Sequence, residues 1–113
     1  MALQRVREAE CLFRGGDWGV KYLMRGPRID WGVIRLKPGQ SMGAHSHGQV
    51  EETFYVLEGT PRMVVDSASF PAAPGDAFRV EAPAKHDIHN ESDGVVRVLF
   101  IKCPYLPQDK KVD

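Results

Sequence analysis

The chain has 113 residues, a length typical of one domain with a single hydrophobic core. Its 15 basic and 15 acidic residues are interspersed and give a formal net charge of zero. This balance offers no cationic surface for nucleic acid or an anionic membrane, so we expect a small-molecule ligand or a protein partner. The sequence shows no signal-peptide core and no apolar run long enough to span a bilayer, which predicts a cytoplasmic protein.

The first 16 residues form a lead-in segment whose structure the sequence leaves open. Residues 2–11 are compatible with a short helix and equally with an irregular strand. Cys11 and Cys103 lack the spacing of a metal or redox motif. Reduced thiols are the expected state, although a disulfide between the two cysteines is compatible with the sequence.

From Asp17 onward, short apolar runs are separated by glycine and proline about every 8–12 residues. This pattern predicts an all-β domain, either a sandwich or a closed antiparallel jelly roll. The predicted strands are Gly19–Met24, Asp30–Leu36, Ser41–His47, Thr53–Leu57, Arg62–Asp66, Ala77–Val80, His86–Asn90 and Val95–Lys102. We expect a single domain over residues 1–113, in which residues 104–113 are a tail that frays over residues 108–113.

The stretch with the most chemical content runs from Gly39 to Gly59 and contains two histidines and two carboxylates. His45 and His47 alternate along a predicted strand, so they share a face with their Cα atoms roughly 6.5–7 Å apart. Glu51 or Glu52, arriving from a neighbouring strand, can converge with them on one cation. The stretch therefore predicts a metal site that needs a further ligand from elsewhere in the chain.

The remaining histidines, His86 and His89, are three residues apart and so face opposite sides of a predicted strand. The neighbour Ile88 selects His86 as the inward residue, whereas His89 is expected to be solvated beside Asp87. The apolar residues expected in the core are Phe54, Val56, Ile88, Val96, Val98 and Phe100.

Several other side chains have two compatible roles. We expect Trp18 and Trp31 to be buried near the mouth of the barrel or at a subunit contact. Tyr55 is expected to pack between the sheets or at a dimer contact. Arg35, the one basic residue in an apolar strand, is expected to be solvated, with binding of a substrate anion as the alternative.

The stretch from Gly39 to Gly59 resembles the first motif of the cupin superfamily, G-x5-H-x-H-x(3,4)-E-x6-G. The spacing to Gly59 selects Glu52 rather than Glu51 as the carboxylate of the motif. The segment from Gly75 to Asn90 is similar to the second motif, G-x5-P-x-G-x2-H-x3-N.

The second segment departs from that motif at two turn positions, where Glu81 replaces a proline and Pro83 replaces a glycine. The resemblance implies a double-stranded β-helix barrel of two antiparallel sheets, a bound divalent metal and a homodimer. Carried over position by position, the implied metal ligands are His45, His47, Glu52 and His86.

Three imidazoles and one carboxylate suit a divalent ion of Mn, Fe, Ni, Co, Cu or Zn, and the ligand set alone does not choose among them. Such a centre carries a local charge near +1, which favours an anionic or carbonyl-containing small molecule. The resemblance implies a metalloenzyme of the dioxygenase, decarboxylase or isomerase type. The sequence indicates no separate acid or base, so the catalytic residues stay unassigned. A non-catalytic module that binds metal or a small ligand is the alternative, and a purely structural β-domain is a third possibility.

Overall fold

Ten short strands and one turn of 3-10 helix build residues 2–112, which are the residues that the computed structural model describes. The 3-10 turn is Glu8–Glu10. The strands are β1 (Gly19–Arg25), β2 (Asp30–Leu36), β3 (Ser46–His47), β4 (Glu51–Glu58), β5 (Arg62–Val65), β6 (Ala68–Pro71), β7 (Ala77–Val80), β8 (His86–His89), β9 (Val96–Cys103) and β10 (Lys110–Lys111). Over this part of the chain no helix combines the length and the apolar character that crossing a membrane requires.

The strands pair antiparallel in three sheets. The largest sheet has the order β1-β2-β9-β4-β7, the second has the order β6-β5-β8, and β3 pairs with β10 alone. The central strand β9 joins β2 and β4 although it is distant from both in the sequence. These long-range connections give the two-sheet jelly roll, or double-stranded β-helix, and confirm the predicted fold class.

Alternation along the strands places the core between the two larger sheets. In β4, Phe54 and Val56 are at most 1% exposed, whereas Tyr55 is 43% exposed on the outer face. The expectation that Tyr55 packs between the sheets is therefore wrong, because its neighbours in sequence occupy the inward phase. All six residues expected in the core are buried: Phe54, Val56, Ile88, Val96, Val98 and Phe100.

Seven of the eight predicted strands occur within about two residues of their expected bounds, and one is much shorter. The predicted strand Ser41–His47 is reduced to β3, preceded by isolated bridges from Ser41 to His89 and from His45 to His86. Residues 2–11 hold only the 3-10 turn, so a helix over this segment is not formed. Cys11 and Cys103 are free thiols.

The sequence reading missed β6 because the run of prolines and small residues near Pro71 looked like a loop. In the structure β5 and β6 form a hairpin in which Val65 pairs with Ala68 across Asp66 and Ser67. Asp66 adopts a φ of 52°, a left-handed conformation that aspartate tolerates better than most residues. Pro71 ends β6 at the edge of its sheet, where a missing N–H costs no ladder hydrogen bond.

The prediction of a frayed tail is wrong for the described part of residues 108–113, which ends at residue 112. Lys110 pairs with His47 in the ribbon formed by β10 and β3. The Asp109 carboxylate accepts hydrogen bonds from the backbone N–H groups of Gln49 and Val50, both at 2.9 Å. These bonds lower the pKa of Asp109. The polar Asp109 thus holds β10 in place, a strand that no apolar pattern in the sequence predicted. The homodimer and the cytoplasmic location stay predictions.

Candidate metal centre

Two backbone hydrogen bonds bring the histidines of the two sequence motifs together. The His45 N–H donates to the His86 carbonyl at 3.0 Å, and the His86 N–H donates to the His45 carbonyl at 2.8 Å. Their imidazole centroids consequently lie 4.4 Å apart. His47 follows two residues later on the same face, with its ring centroid 5.1 Å from that of His45.

Glu52 enters the cluster from β4, on the inward phase that it shares with Phe54. Its Oε1 atom lies 3.4 Å from His45 Nε2, 3.2 Å from His47 Nε2 and 3.0 Å from His86 Nε2. The four side chains are at most 4% exposed as residues, and one potential ligand atom of each lies within 4.8 Å of all the others. The structure thus brings together all four residues that the sequence predicted as ligands.

Hydrogen bonds on the far side of two rings orient them for metal binding. His45 Nδ1 lies 2.9 Å from the Gly43 carbonyl, and His86 Nδ1 lies 3.2 Å from the Ala84 carbonyl. Because a carbonyl only accepts, each Nδ1 carries a hydrogen. Nε2 then faces Glu52 either as the N–H of a protonated ring, which donates to the carboxylate, or as the lone pair of a neutral ring, which can bind a cation. Metal-binding histidines usually donate their second N–H to an acceptor such as these carbonyls.

A lone pair that faces a carboxylate oxygen is repelled unless a cation lies between them. Burial raises the pKa of the Glu52 carboxyl, but hydrogen bonds to the three imidazoles outweigh it and hold the pKa well below its usual range. The carboxylate is therefore charged in a place where water reaches 1% of its residue surface. The nearby Lys102 ammonium offsets part of this buried charge, and protonated imidazoles or a metal ion between the four side chains would balance the rest, so the residues present fit a divalent cation.

His47 is held less firmly than the other two histidines. Its Nδ1 atom is buried and has no hydrogen-bond partner among residues 2–112. Its Nε2 atom nevertheless points at Glu52 Oε1 like the others. Its backbone pairs with Lys110, so β10 holds the main chain of His47 even though its ring has no second hydrogen bond.

A cavity of about 280 Å³ opens beside the cluster and reaches His45 and Glu52. Aromatic and aliphatic side chains form one wall, among them Trp18, Tyr22 and Phe100. A smaller cavity of about 60 Å³ lies on the side of His47. The larger volume is near the lower end of the range for small-molecule sites, which are mostly apolar with few polar groups.

Three cationic residues and one phenol of the larger cavity were not predicted as site residues: Arg14, Lys102, Lys110 and Tyr22. A signal existed only for Lys102, because β9 alternates Val96, Val98 and Phe100 inward and the next inward position is a lysine. Arg14 and Lys110 come from segments without periodic pattern, and only tertiary contacts bring them to the cavity.

The other polar residues singled out in the sequence lie outside the cluster. Glu51 points away, as expected, and its Oε2 atom lies 3.6 Å from Arg79 Nε. His89 is partly exposed and lies 2.9 Å from an Asp87 carboxylate oxygen, which agrees with its expected place beside that residue. Arg35 donates to the Asp17 backbone carbonyl and does not line the cavity, so a role in anion binding there is not supported.

The two tryptophans differ in their position relative to the larger cavity. Trp18 lines the larger cavity, which agrees with a place near the mouth of the barrel. Trp31 lies on β2 with intermediate burial and does not line that cavity. Whether either ring contacts another subunit stays a prediction.

Comparison with known proteins agrees with this architecture. The family model for the cupin domain matches residues 32–102. A polyketide synthase, CurC of Streptomyces cyaneus, is 27% identical over 77 residues, which are 68% of this chain and 50% of that protein. This chain spans about half the length of such curated relatives.

Two solved structures show the same fold. A Klebsiella pneumoniae protein with a double-stranded β-helix domain has a TM-score of 0.83 at 14% identity and covers 96% of each chain. A Thermotoga maritima protein described as a predicted oxalate decarboxylase has a TM-score of 0.74 at 22% identity. That match covers 89% of this chain and 99% of the other.

Proposed function

Because this chain belongs to the cupin family, we propose that it is a divalent-metal enzyme that acts on a small anionic or carbonyl-containing substrate. The observation that carries the proposal is the convergence of three imidazoles and one charged carboxylate on a single buried point. The cavity beside that point gives a small molecule access to the centre.

His45, His47, His86 and Glu52 would hold the ion, which supplies a Lewis acid for a carbonyl, carboxylate or enolate oxygen when bound. The apolar wall of the cavity would keep water from the reacting group. Lys102 donates from Nζ to the Tyr22 hydroxyl at 2.8 Å, which leaves the hydroxyl hydrogen free to point at a ligand. Tyr22 is thereby the candidate proton donor that the sequence did not indicate.

The names of similar proteins support this class of substrate. CurC is called a polyketide synthase, and the Thermotoga maritima protein is described as a predicted oxalate decarboxylase. A polyketone and oxalate both carry neighbouring oxygens that can bind a Lewis acid as an anion. Oxygenation, decarboxylation and isomerisation would each be compatible with such a group held at a Lewis acid, and the reaction type is part of what the experiment below decides.

A non-catalytic metal or ligand-binding module is the second candidate. It is favoured by the number of protein ligands, because four ligands complete a tetrahedral Zn²⁺ and leave no open position. An ion that accepts five or six ligands keeps positions for a substrate.

The test begins with elemental analysis of the purified protein, followed by turnover assays on 2-oxo acids, diketones and phenolic acids. We expect a stoichiometric divalent ion and turnover of one class, both of which His47→Ala abolishes. His89→Ala is the matched control, since His89 lies outside the cluster, and it should keep metal and turnover. Tight binding without turnover across the panel would establish the module, and absence of metal after reconstitution would refute both candidates.

A further inference from the structure

The cavity beside the metal centre has three positively charged residues on its lining, namely Arg14, Lys102 and Lys110. Among residues 2–112, no carboxylate oxygen lies within 4.0 Å of their charged nitrogens. Of the other twelve cations, five likewise have no carboxylate within 4.0 Å in the described part of the chain and seven do, namely Arg7, Lys21, Arg25, Lys37, Arg62, Arg79 and Arg97. What distinguishes Arg14, Lys102 and Lys110 is that these three unpaired cations line one cavity. Among the described residues, Glu52 is the one carboxylate on the same lining, so three cations face a single acidic group, and this local positive charge in a chain of zero net charge favours a bound anion.

Lys102 is built into the wall rather than attached to the surface. It is the direct cross-strand partner of Glu52 on β4 and of Asp30 on β2, so the three side chains leave neighbouring strands on the same inward face, although neither carboxylate lies within 4.0 Å of its ammonium. Its ammonium donates to the Tyr22 hydroxyl at 2.8 Å, and its Nζ atom lies 5.7 Å from the centroid of the Phe100 ring. A lysine that lies between the rings of Tyr22 and Phe100 and donates to the Tyr22 hydroxyl is fixed in direction, and a fixed donor binds an anion with a smaller loss of entropy.

Arg14 and Lys110 approach the same cavity from the two ends of the chain. Arg14 belongs to the turn before β1, and its backbone N–H donates to the Val20 carbonyl at 2.9 Å. Lys110 belongs to β10, which is fastened beside His47. Desolvation lowers the pKa of Lys110 although the residue is exposed, repulsion by Lys102 and Arg14 lowers it further, and attraction to Glu52 opposes the shift. A bound anion would relieve the repulsion between the three cations.

The positive charge around the cavity is larger than one anionic group of a ligand can neutralise. A divalent ion with Glu52 leaves about one positive charge, which one enolate or carboxylate satisfies. The three cations are additional, and the wall beside them is apolar, including Trp18, Val20 and Ile34. A ligand complementary to the whole cavity therefore has a carbon skeleton against the apolar wall, an oxygen group that binds the metal and a second acidic group near the three cations.

We propose that the cavity binds an amphipathic organic anion whose distal carboxylate or phosphate lies between Lys102, Lys110 and Arg14. Its oxygen-bearing reactive end lies at Glu52 and His45, and this half of the proposal rests on the proposed function. Lys102 is the residue that selects acidic over neutral substrates. The distal group needs no metal, so its recognition can be tested separately.

The probe is 4,6-dioxoheptanoate, a diketone with a carboxylate at the far end, compared with its neutral methyl ester. Calorimetric titration of metal-loaded protein should give about tenfold tighter binding of the acid, because charge-assisted hydrogen bonds are the stronger class. Lys102→Met should reduce the affinity for the acid to that for the ester, and Lys110→Met should reduce it several-fold. Lys111→Met is the matched control, since this adjacent lysine does not line the cavity, and it should leave both affinities unchanged.

Equal affinities of the acid and the ester for the wild-type protein would overturn the proposal. So would a full preference for the acid in Lys102→Met. If Lys102→Met does not fold, Lys102→Arg should retain the preference, and the wild-type preference should fall as salt rises to about 0.5 M. A preference that is unchanged by salt would also refute the proposal.

Metal content measured on every sample separates this proposal from the function proposed above. Bound metal with no preference for the acid refutes the anion site and leaves the metal centre standing. If no metal binds, the same pair of probes is titrated against the metal-free protein by tryptophan fluorescence, because Trp18 lines the cavity. A preference that depends on Lys102 then supports the anion site although the proposed metal function has failed.

Discussion

The charge of Glu52 is the feature on which the metal centre depends most directly. Glu52→Gln keeps the shape of the side chain and removes the charge that faces His45, His47 and His86 at 3.0–3.4 Å. In the metal-free protein, we expect a small change in stability. Three charge-assisted hydrogen bonds at about 1.5–3 kcal/mol each are offset by a desolvation cost of several kcal/mol for the buried ion.

With metal bound, the loss is much larger. Altering a group that merely supports a metal ligand costs about 10–100-fold in affinity, so a hundredfold loss is a conservative figure for a ligand itself. At a free metal concentration of about 1,000 times Kd, binding stabilises the wild-type protein by about 4.1 kcal/mol. The same concentration is about 10 times the Kd of the variant and stabilises it by about 1.4 kcal/mol. The difference, about 2.7 kcal/mol, corresponds to roughly 10 °C in the metal-induced shift of Tm for a domain of this size.

The assay is thermal unfolding of each protein with and without metal, together with elemental analysis after dialysis. Glu51→Gln is the matched control, because Glu51 points away from the centre and pairs with the exposed Arg79. It should show the wild-type metal-induced shift. A folded Glu52→Gln protein with wild-type metal content and an undiminished shift would refute the reasoning, since the charge would then be irrelevant to the site.

Three further substitutions test the fold that holds the site. Phe54→Ala removes a ring with 0% exposure and should lower the free energy of unfolding by about 3–5 kcal/mol in urea titrations. Gly32→Ala would place a Cβ atom 1.9 Å from the Lys21 carbonyl oxygen, so it should cost at least about 1–3 kcal/mol in the same assay. Asp109→Asn weakens the attachment of β10, so proteolysis should cut the C-terminal segment faster. Because the folded pKa of Asp109 is lowered, its contribution is complete above the usual pKa of aspartate and is lost as the pH falls through the lowered value, and wild-type cleavage should rise in that window.

Each of these substitutions has an internal comparison. Tyr55→Ala removes an exposed ring from the same strand as Phe54 and should cost much less, and equal losses would contradict the assigned core. Gly94→Ala meets no atom within 4 Å and should be nearly neutral. A cleavage rate that is the same for Asp109→Asn and wild type would show that backbone pairing alone holds β10.

The sequence by itself determined the strands with a periodic apolar pattern and the identity of the clustered residues. In β9 and β4 the inward phase alternates as Val96, Val98 and Phe100 or as Phe54 and Val56, and burial follows that phase. The four clustered residues were predictable because their spacing agrees with a family motif, and spacing along a strand fixes the direction of a side chain. Composition could add only that no surface of single charge dominates the molecule.

Tertiary structure alone decided the features that depend on contacts between distant, weakly patterned segments. The pairing of His45 with His86 closes the cluster through backbone hydrogen bonds that no side-chain pattern encodes. Asp109 holds a polar tail that hydrophobicity predicts to be free, and this tail brings Lys110 to the cavity. Lys102 combines both cases. Its inward direction is predictable from the alternation along β9, but the position of its charge beside Glu52 depends on how the strands pair.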